Sequence, residues 1–595
     1  MKRTNYVGRT SEKQIGQEVV LKGWVASRRS FGGLIFIDLR DREGIVQLVF
    51  DEKKYPEAFK VANEVRNEYI IEVRGVVRKR AEVNPDMETG TIEVEVEEAN
   101  QLATSMTPPF SVKDDTEANE EMRLKYRFID LRRPKMMKYL KLRSKMTSIV
   151  HRYFDNHDFL DVETPDLTRS TPEGARDFLV PSRTYPGHFY ALPQSPQLFK
   201  QLLMAAGVDR YYQMARCFRD EDLRGDRQPE FTQIDMEMSF ASAEEIQETT
   251  EGLIKMMMKE IKGIDIKTPF PRMKWQYAMD KYGTDKPDTR FEMLIEDLTD
   301  LFKNSSFKLF ANEANQERHF VRAICVPQGA EKYSRKDLEE KEEYIKRYHA
   351  KGLAWVKVGA NGYTGTIADQ ISDQAEEINK RLGAHEGDLI IFVAGSFQVV
   401  CDSLGWIRRK IGHEMHMMNK DQWNYMWLVD WPMFEYDEGW GRWIAAHHPF
   451  TMLNPEDLHY LNDGEDPHKA HAQSYDIILN GQEIGGGSIR VHDPKIQEKI
   501  FKALGYSKEE ANTRFGFLIK GLEYGMPPEG GLAFGFDRWV LMLAHANSIR
   551  DVVPFPKNSK GIEPMTAAPG TVSQGQLDEL HIAVNKNTGH VNPKD

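Results

Sequence analysis

Cysteine is scarce in this chain: Cys217, Cys325 and Cys401 are the three in 595 residues. An odd number so widely spaced argues against a disulfide framework or a cysteine-built zinc site. It points instead to a reducing compartment, of which the cytoplasm is the simplest. No run of about 18 apolar residues occurs, so no segment reads as a membrane-spanning helix. The opening Met-Lys-Arg-Thr-Asn-Tyr lacks the apolar stretch of a signal peptide. Neither a G-x-x-x-x-G-K-[ST] phosphate loop nor a dinucleotide fingerprint is found. Positive charge is not in excess: 80 basic against 92 acidic residues leave −12. That weighs against a surface that binds nucleic acid everywhere, but it permits a local basic stripe.

The length exceeds what one hydrophobic core can serve, so several domains are expected. Residues 19–25, 34–39, 45–50, 69–77 and 91–96 read as strands, with a helical pattern at 55–65. Five short strands with a helix after the third predict a small closed barrel of the OB type. Residues 103–115, with Pro108-Pro109, break the pattern and read as linker. A helix rich in Arg, Lys and Met follows over 134–156. Mixed α/β character runs to about 285, and residues 290–425 differ enough to read as an insertion. Strands and Gly-rich turns return over 426–555, and the polar tail beyond about 570 reads as partly mobile.

The segment Phe218–Ser239 predicts a hairpin. Alternation places Phe231, Gln233, Asp235 and Glu237 on one face and Thr232, Ile234, Met236 and Met238 on the other, core-like face. Arg219 and Glu221 share a face of the preceding strand. Such a surface gathers an Arg suited to phosphate, acids suited to an amino group or metal, and a Phe suited to a base. A salt-bridged solvated hairpin fits the same alternation. Farther on, Gly530-Gly531-Leu532-Ala533-Phe534-Gly535-Phe536-Asp537-Arg538 reads as a Gly-spaced strand-to-helix turn. An Arg in the first turn of such a helix can meet polyphosphate.

These residues carry a family resemblance. Phe159-Leu160-Asp161-Val162-Glu163-Thr164-Pro165, Phe218-Arg219-Asp220-Glu221 and Gly535-Phe536-Asp537-Arg538 resemble, in order, motifs 1, 2 and 3 of the class II aminoacyl-tRNA synthetases. More specific are Thr171-Pro172-Glu173-Gly174-Ala175-Arg176-Asp177-Phe178, Gln194-Ser195-Pro196-Gln197-Leu198-Phe199-Lys200 and Gly485-Gly486-Gly487-Ser488-Ile489-Arg490. They resemble the bacterial aspartate type, over nearly the whole chain. The implied fold is multidomain α+β: an OB-type barrel, an antiparallel-sheet catalytic domain with helices, and an inserted α+β domain. The implied boundaries are 1–104 for an anticodon-binding barrel, 105–135 for a hinge, 136–288 and 426–560 for the two catalytic parts, 289–425 for the insert and 561–595 for an extension.

The resemblance implies ATP and Mg²⁺, L-aspartate, tRNA(Asp) and, in some relatives, tRNA(Asn), with a C2 homodimer built on motif 1. Arg219 would grip the α-phosphate and Arg538 the γ-phosphate. Asp220, Glu221, Gln228, Phe231, Gly535, Phe536 and Asp537 would surround the nucleotide, with Phe231 stacked on adenine. Asp476 and Glu483 would hold Mg²⁺, a hard ion suited to carboxylates. Lys200 and Arg490 would read the substrate's side-chain carboxylate, which favours an acidic amino acid over lysine. Asp235 would take the ammonium, near Glu173, Gln194, Ser195 and Gln197, under a loop carrying His447 and His448. In the barrel, Arg28, Arg29, Phe36 and Gln47 would meet the anticodon.

Two of these placements are awkward on pattern alone. Lys200 lies on a helix whose core face is read as Phe199, Leu202 and Leu203, which leaves it solvated. Arg490 stands seven residues after Glu483, so a regular strand would point the two to opposite faces. A bulge within Gly485–Gly487 is therefore expected.

Overall fold

The computed structural model describes residues 1–170, 175–221, 223, 225–437 and 441–584. The chain forms two compact units. One is Met1–Ser148 with Glu221–Pro229 and Val540–Asp595; the other is Ile149–Asp220 with Glu230–Trp539.

In the first unit, strands β1 (Glu18–Phe31), β2 (Leu34–Arg40), β3 (Ile45–Asp51), β4 (Ile70–Lys79) and β5 (Ile92–Ala103) close a barrel in the order β1-β2-β3-β5-β4. Alternation builds it: Ile35, Ile37 and Leu39 of β2 point inward beside Val46, Leu48 and Phe50 of β3. The helix Pro56–Glu64 follows the third strand, as the pattern predicts. The segment read as a hinge is tied down locally. Asp130, with no exposed surface, accepts from Arg127 at 2.6 Å and from Arg133 at 2.7 Å. Arg127 also donates to the carbonyls of Arg550, Val553 and Pro554.

The second unit is organised by an eight-stranded sheet. Its strands are β6 (Leu160–Asp161), β9 (Arg210–Phe218), β10 (Glu230–Ser239), β11 (Arg272–Lys274), β17 (Tyr425–Pro432), β20 (His471–Leu479), β21 (Gln482–Ile489) and β22 (Glu529–Gly535). Their order is β11-β17-β20-β21-β22-β10-β9-β6, antiparallel within and parallel where β11 and β6 join the two edges. Small hairpins β7–β8 (Leu179–Pro181, Phe189–Ala191) and β18–β19 (Phe434–Asp437, Arg442–Ala445) lie outside it. The helix Ala243–Lys262 starts at a Ser242/Glu245 capping box and stops at Gly263, whose φ of 72° is the left-handed cap that glycine adopts freely.

The insertion leaves after β11 and returns at β17, its neighbour. It holds a separate antiparallel sheet of β12 (Glu296–Asp297), β13 (His319–Val326), β14 (Ala354–Gly359), β15 (Gly362–Gly365) and β16 (Leu389–Ser396), ordered β12-β13-β16-β14-β15. The charged run at 334–351 is the helix Arg335–Ile345 followed by a 3-10 turn. The tail carries a short helix, Gln574–Glu579. No described helix is long and apolar enough to cross a membrane.

The hairpin differs from its sequence reading at one end. Its first strand ends at Phe218, and pairing runs from Glu230↔Phe218 to Met238↔Arg210. Arg219 and Glu221 therefore lie beyond the ladder and share no strand face. The buried Tyr211, Tyr212, Ala215 and Cys217 draw the earlier residues into the sheet instead.

Candidate active site

Register brings one polar face together across five strands. Asp235 pairs with Gln213 on β9 and Ala533 on β22, and Glu237 pairs with Tyr211 and Gly531. Ser488 of β21 pairs with Gly531 and with Ser474 of β20, while Gly486 pairs with Asp476. Directly opposed residues share a face, so these side chains lie on one surface. Two glycines make room for its acids. A Cβ on Gly531 would lie 1.9 Å from Glu237 Oε2, and one on Gly486 would lie 2.4 Å from Asp476 Oδ1.

Lys200 enters this face from the helix Gln197–Ala205. Of the expected core face Phe199, Leu202 and Leu203, Leu202 packs against a core cluster, but the fully buried face is Leu198, Lys200, Gln201 and Met204. A lysine can take that place because acids wait there. Its Nζ lies 2.7 Å from Asp235 Oδ1 and 3.1 Å from Glu237 Oε2. Arg490 reaches the same Glu237 through Nε at 2.7 Å and Nη2 at 3.0 Å. Its Nη1 donates to Ser488 Oγ and to His448 Nε2, the latter at 2.9 Å. The expected irregularity exists, one residue earlier than placed. Ile478 pairs with Glu483 and Ile477 with Gly485, so Ile484 is the extra residue. It resets the alternation and turns Arg490 onto the face of Ser488 and Glu237.

Electrostatics follow from burial. Burial opposes ionisation of Glu237, but Arg490 and Lys200 outweigh it and hold the carboxyl below its ordinary value. Asp235 is pushed up by burial, with Lys200 opposing. Its Oδ2 is buried and makes no close hydrogen bond, and the Tyr211 hydroxyl nearby also favours the ionised carboxyl. Burial pushes the His447 imidazole down to about 4, and burial with Arg490 holds His448 neutral as well.

A second acidic locus lies on β20 and β21. Burial, then Glu483, pushes the Asp476 carboxyl well above its ordinary value. Lys286 sits 3.4 Å from Glu483 and 2.8 Å from Asp285. Two carboxylates on a polar sheet face suit Mg²⁺, which binds through one or two carboxylates and takes its remaining ligands from water and phosphate. Among the described residues no cluster of three or more His, Cys, Asp or Glu forms a fuller metal cage.

The nucleotide candidates divide. Arg219 stacks over Phe231 at 5.2 Å and donates to the Gln194 carbonyl. Arg538 opens the helix Phe536–Ala544 and donates to the Glu483 carbonyl at 2.6 Å. Asp537 instead accepts from the Thr232 N–H at 2.8 Å, which fastens that helix to β10, and Phe536 is buried. Gly535 pairs with Gln233, and Asp220 bridges to Arg176 through backbone. Glu221 pairs with Arg227 at 2.9 Å, and the Gln228 amide is clamped on the backbone of Lys557. Gln194 holds the backbone of Ala175, Gln197 is buried, and Ser195 Oγ accepts from the Gln197 N–H. Glu173 lies outside the described residues.

Sequence reasoning missed Lys286, Tyr211, Gln213 and Ser488. Tyr211, Gln213 and Ser488 matter only through their sheet partners and Lys286 through its ion pairs with Asp285 and Glu483, and only the alternation of β9 hinted at Tyr211 and Gln213.

On the barrel, Arg29, Phe36 and Val49 are directly opposed, with Gln47 on the same face. Gln47 is buried, its amide held by Arg29, Arg80 and Glu93. Phe31, at the β1–β2 tip, is 65% exposed and meets Phe36 edge-on. Arg28 turns the other way and donates to Ala62 and Asn63.

The barrel and the acid-lined antiparallel sheet are the parts of a class II synthetase. The sequence model "tRNA synthetases class II (D, K and N)" matches residues 119–559, and "OB-fold nucleic acid binding domain" matches 19–102. A solved asparaginyl-tRNA synthetase from Pyrococcus horikoshii shares the fold at 18% identity and TM-score 0.58, over 93% of this chain and 98% of that one. The aspartate–tRNA ligase of Limosilactobacillus fermentum is 71% identical over 98% of this chain and 99% of its own length. That of Limosilactobacillus reuteri strain DSM 20016 is 72% identical over 98% and 97%. The chain belongs to the aspartate–tRNA ligase family of class II synthetases.

Proposed function

We propose that this chain activates L-aspartate with ATP and transfers it to the 3′-terminal ribose of tRNA(Asp). The observation that carries the reading is the pair of buried cations, Lys200 and Arg490, fixed on the same face as Asp235. A site with two cations and, beside them, a carboxylate whose Oδ2 is not yet hydrogen-bonded matches a substrate bearing a side-chain carboxylate and an ammonium.

In the first step the α-carboxylate of aspartate attacks the α-phosphorus and releases pyrophosphate, leaving aspartyl-adenylate. Arg490 and Lys200 bind the side-chain carboxylate. Asp235 takes the ammonium, with Glu173 and Gln197, and His447 and His448 close over the amino acid. Arg219 offsets the charge that builds on the α-phosphate, and fixed positive charge there lowers the barrier. Phe231 stacks on adenine, Arg538 holds the terminal phosphate, and Glu221 and Gln228 contact the nucleotide. Mg²⁺, held by Asp476 and Glu483, would neutralise phosphate charge. In the second step the 3′-OH attacks the activated carbonyl, losing its proton as the bond to the phosphate breaks, and AMP leaves. Positioning supplies most of the rate, since no covalent enzyme intermediate is required.

The exposed face of Phe31 and Phe36, with Arg29 beside it, supports anticodon binding by stacking. The short edge strand β6, with Leu160 exposed, supports a C2 homodimer, which sedimentation would check. Pyrophosphate exchange with aspartate, asparagine and lysine tests the central reading. Aspartate alone should support it, and exchange with none of them would overturn it. Charging tRNA(Asp) and tRNA(Asn) in parallel then measures the breadth of the tRNA range. In a folded Arg219→Ala variant adenylate formation should be lost; near-normal exchange would remove that residue's role.

A further inference from the structure

We infer that Glu529 is held as a neutral carboxylic acid beside the carboxylate-binding cations, and that its ionisation weakens binding of an acidic substrate. The inference rests on the function proposed above. It begins with register. Glu529 opens β22 opposite Ser239, two residues after Glu237 on β10, and its carbonyl accepts the Arg490 N–H at 2.9 Å. Glu529, Glu237 and Arg490 therefore share the polar face.

Glu529 has no exposed surface, and neither carboxylate oxygen has a hydrogen-bond partner among the described residues. A charged carboxylate in that position would be buried without a donor, the costliest state for such a group. The nearby cations are already engaged. Lys200 is committed to Asp235 and Glu237, and Arg490 to Glu237 and His448. Two cations balance two anions, and an ionised Glu529 would leave the site net negative where a carboxylate must enter.

The surrounding titratable groups agree. The charged groups acting on Glu529 are Glu237 of β10, Arg490 after β21 and Lys200 of the helix Gln197–Ala205; around these in turn lie Asp235 of β10, Tyr211 of β9, Tyr475 of β20 and His448 of its loop. Burial first, then Glu237, pushes the Glu529 carboxyl well above its ordinary value, and Arg490 and Lys200 only partly oppose this. Both tyrosines are pushed far up by burial and His448 is kept neutral. Glu529 is thus a positioning residue: it acts through the charge balance around Arg490 rather than by touching the reacting atoms.

The test is the pH dependence of the aspartate KM in pyrophosphate exchange, wild type against Glu529→Gln, which mimics the neutral acid. In the wild type KM should climb by up to about tenfold per pH unit once Glu529 ionises, with much less change in kcat. The variant should lack that limb. Titration of the substrate's own ammonium is common to both proteins and cancels in the comparison. Calorimetry of succinate binding to the wild type, in buffers of different protonation heat across the pH range, should show proton uptake, because succinate keeps the carboxylates and has no ammonium to titrate; this readout stands even if the variant fails to fold. Identical KM profiles, or binding without proton uptake, would overturn the inference. Failure of the wild type to bind aspartate at any pH would instead remove the reading beneath it.

Discussion

Lys200 and Arg490, each with 2% side-chain exposure, are stable in the interior because Asp235 and Glu237 meet them at hydrogen-bond distance. Removing one partner of such a pair strands the other and costs about 3–5 kcal/mol. Arg490→Leu should therefore lower thermal stability by that amount and abolish aspartate-dependent exchange. Adding Glu237→Leu to Arg490→Leu should restore much of the stability and none of the exchange. If the double variant is no more stable than the single, the ion pair is not what the loss reports. His447 makes a pH prediction at the same scale. Its imidazole falls from 6.5 to about 4 on folding, so between those values the unfolded chain binds the extra proton. Its contribution to stability is complete above about 6.5 and is lost as pH falls toward 4, by up to about 3 kcal/mol. Wild type should lose that much more stability on acidification than His447→Phe, as measured by denaturant unfolding. Parallel curves would show that the imidazole is not held neutral.

At the scale of the element, the site depends on strands that carry too little side chain or one residue too many. Gly531 has no room for a Cβ beside the Glu237 carboxylate. Gly531→Ala should destabilise the protein by about 1–3 kcal/mol through overpacking and raise the aspartate KM, because Glu237 must move and take Arg490 with it. Normal KM in a destabilised variant would separate packing from the site. The extra residue Ile484 does the reverse. It adds one position, so that Glu483 can serve the acidic locus while Arg490 faces Glu237. Its deletion slips β21 by one and turns Arg490 to the opposite face.

For the whole molecule, barrel and catalytic sheet are separate folding problems with separate cores. The anticodon surface rests on Phe36, since Gln47 is committed within the barrel. Phe36→Ala should weaken stacking by about 1–3 kcal/mol and lower the ratio of tRNA charging to pyrophosphate exchange accordingly. An unchanged ratio would remove Phe36 from tRNA recognition.

The barrel was legible because its strands alternate cleanly between core and solvent, as in β2. The Gly-Arg turn and the polar face of β10 were legible for the same reason: each is written in a local period. The sequence alone also determined that Glu483 and Arg490 conflict in parity, and so that a bulge had to exist. It could not say where, because only pairing with Ile477 and Ile478 marks Ile484 as the extra residue. It misjudged Lys200, because a helix pattern counts a lysine as polar until the acids on another element are known. It extended β9 through Arg219 and Glu221, because the end of a strand is set by its partner's register. Tertiary structure decided which charges meet, and in a buried site charge pairing, not residue type, decides whether a side chain can lie inside.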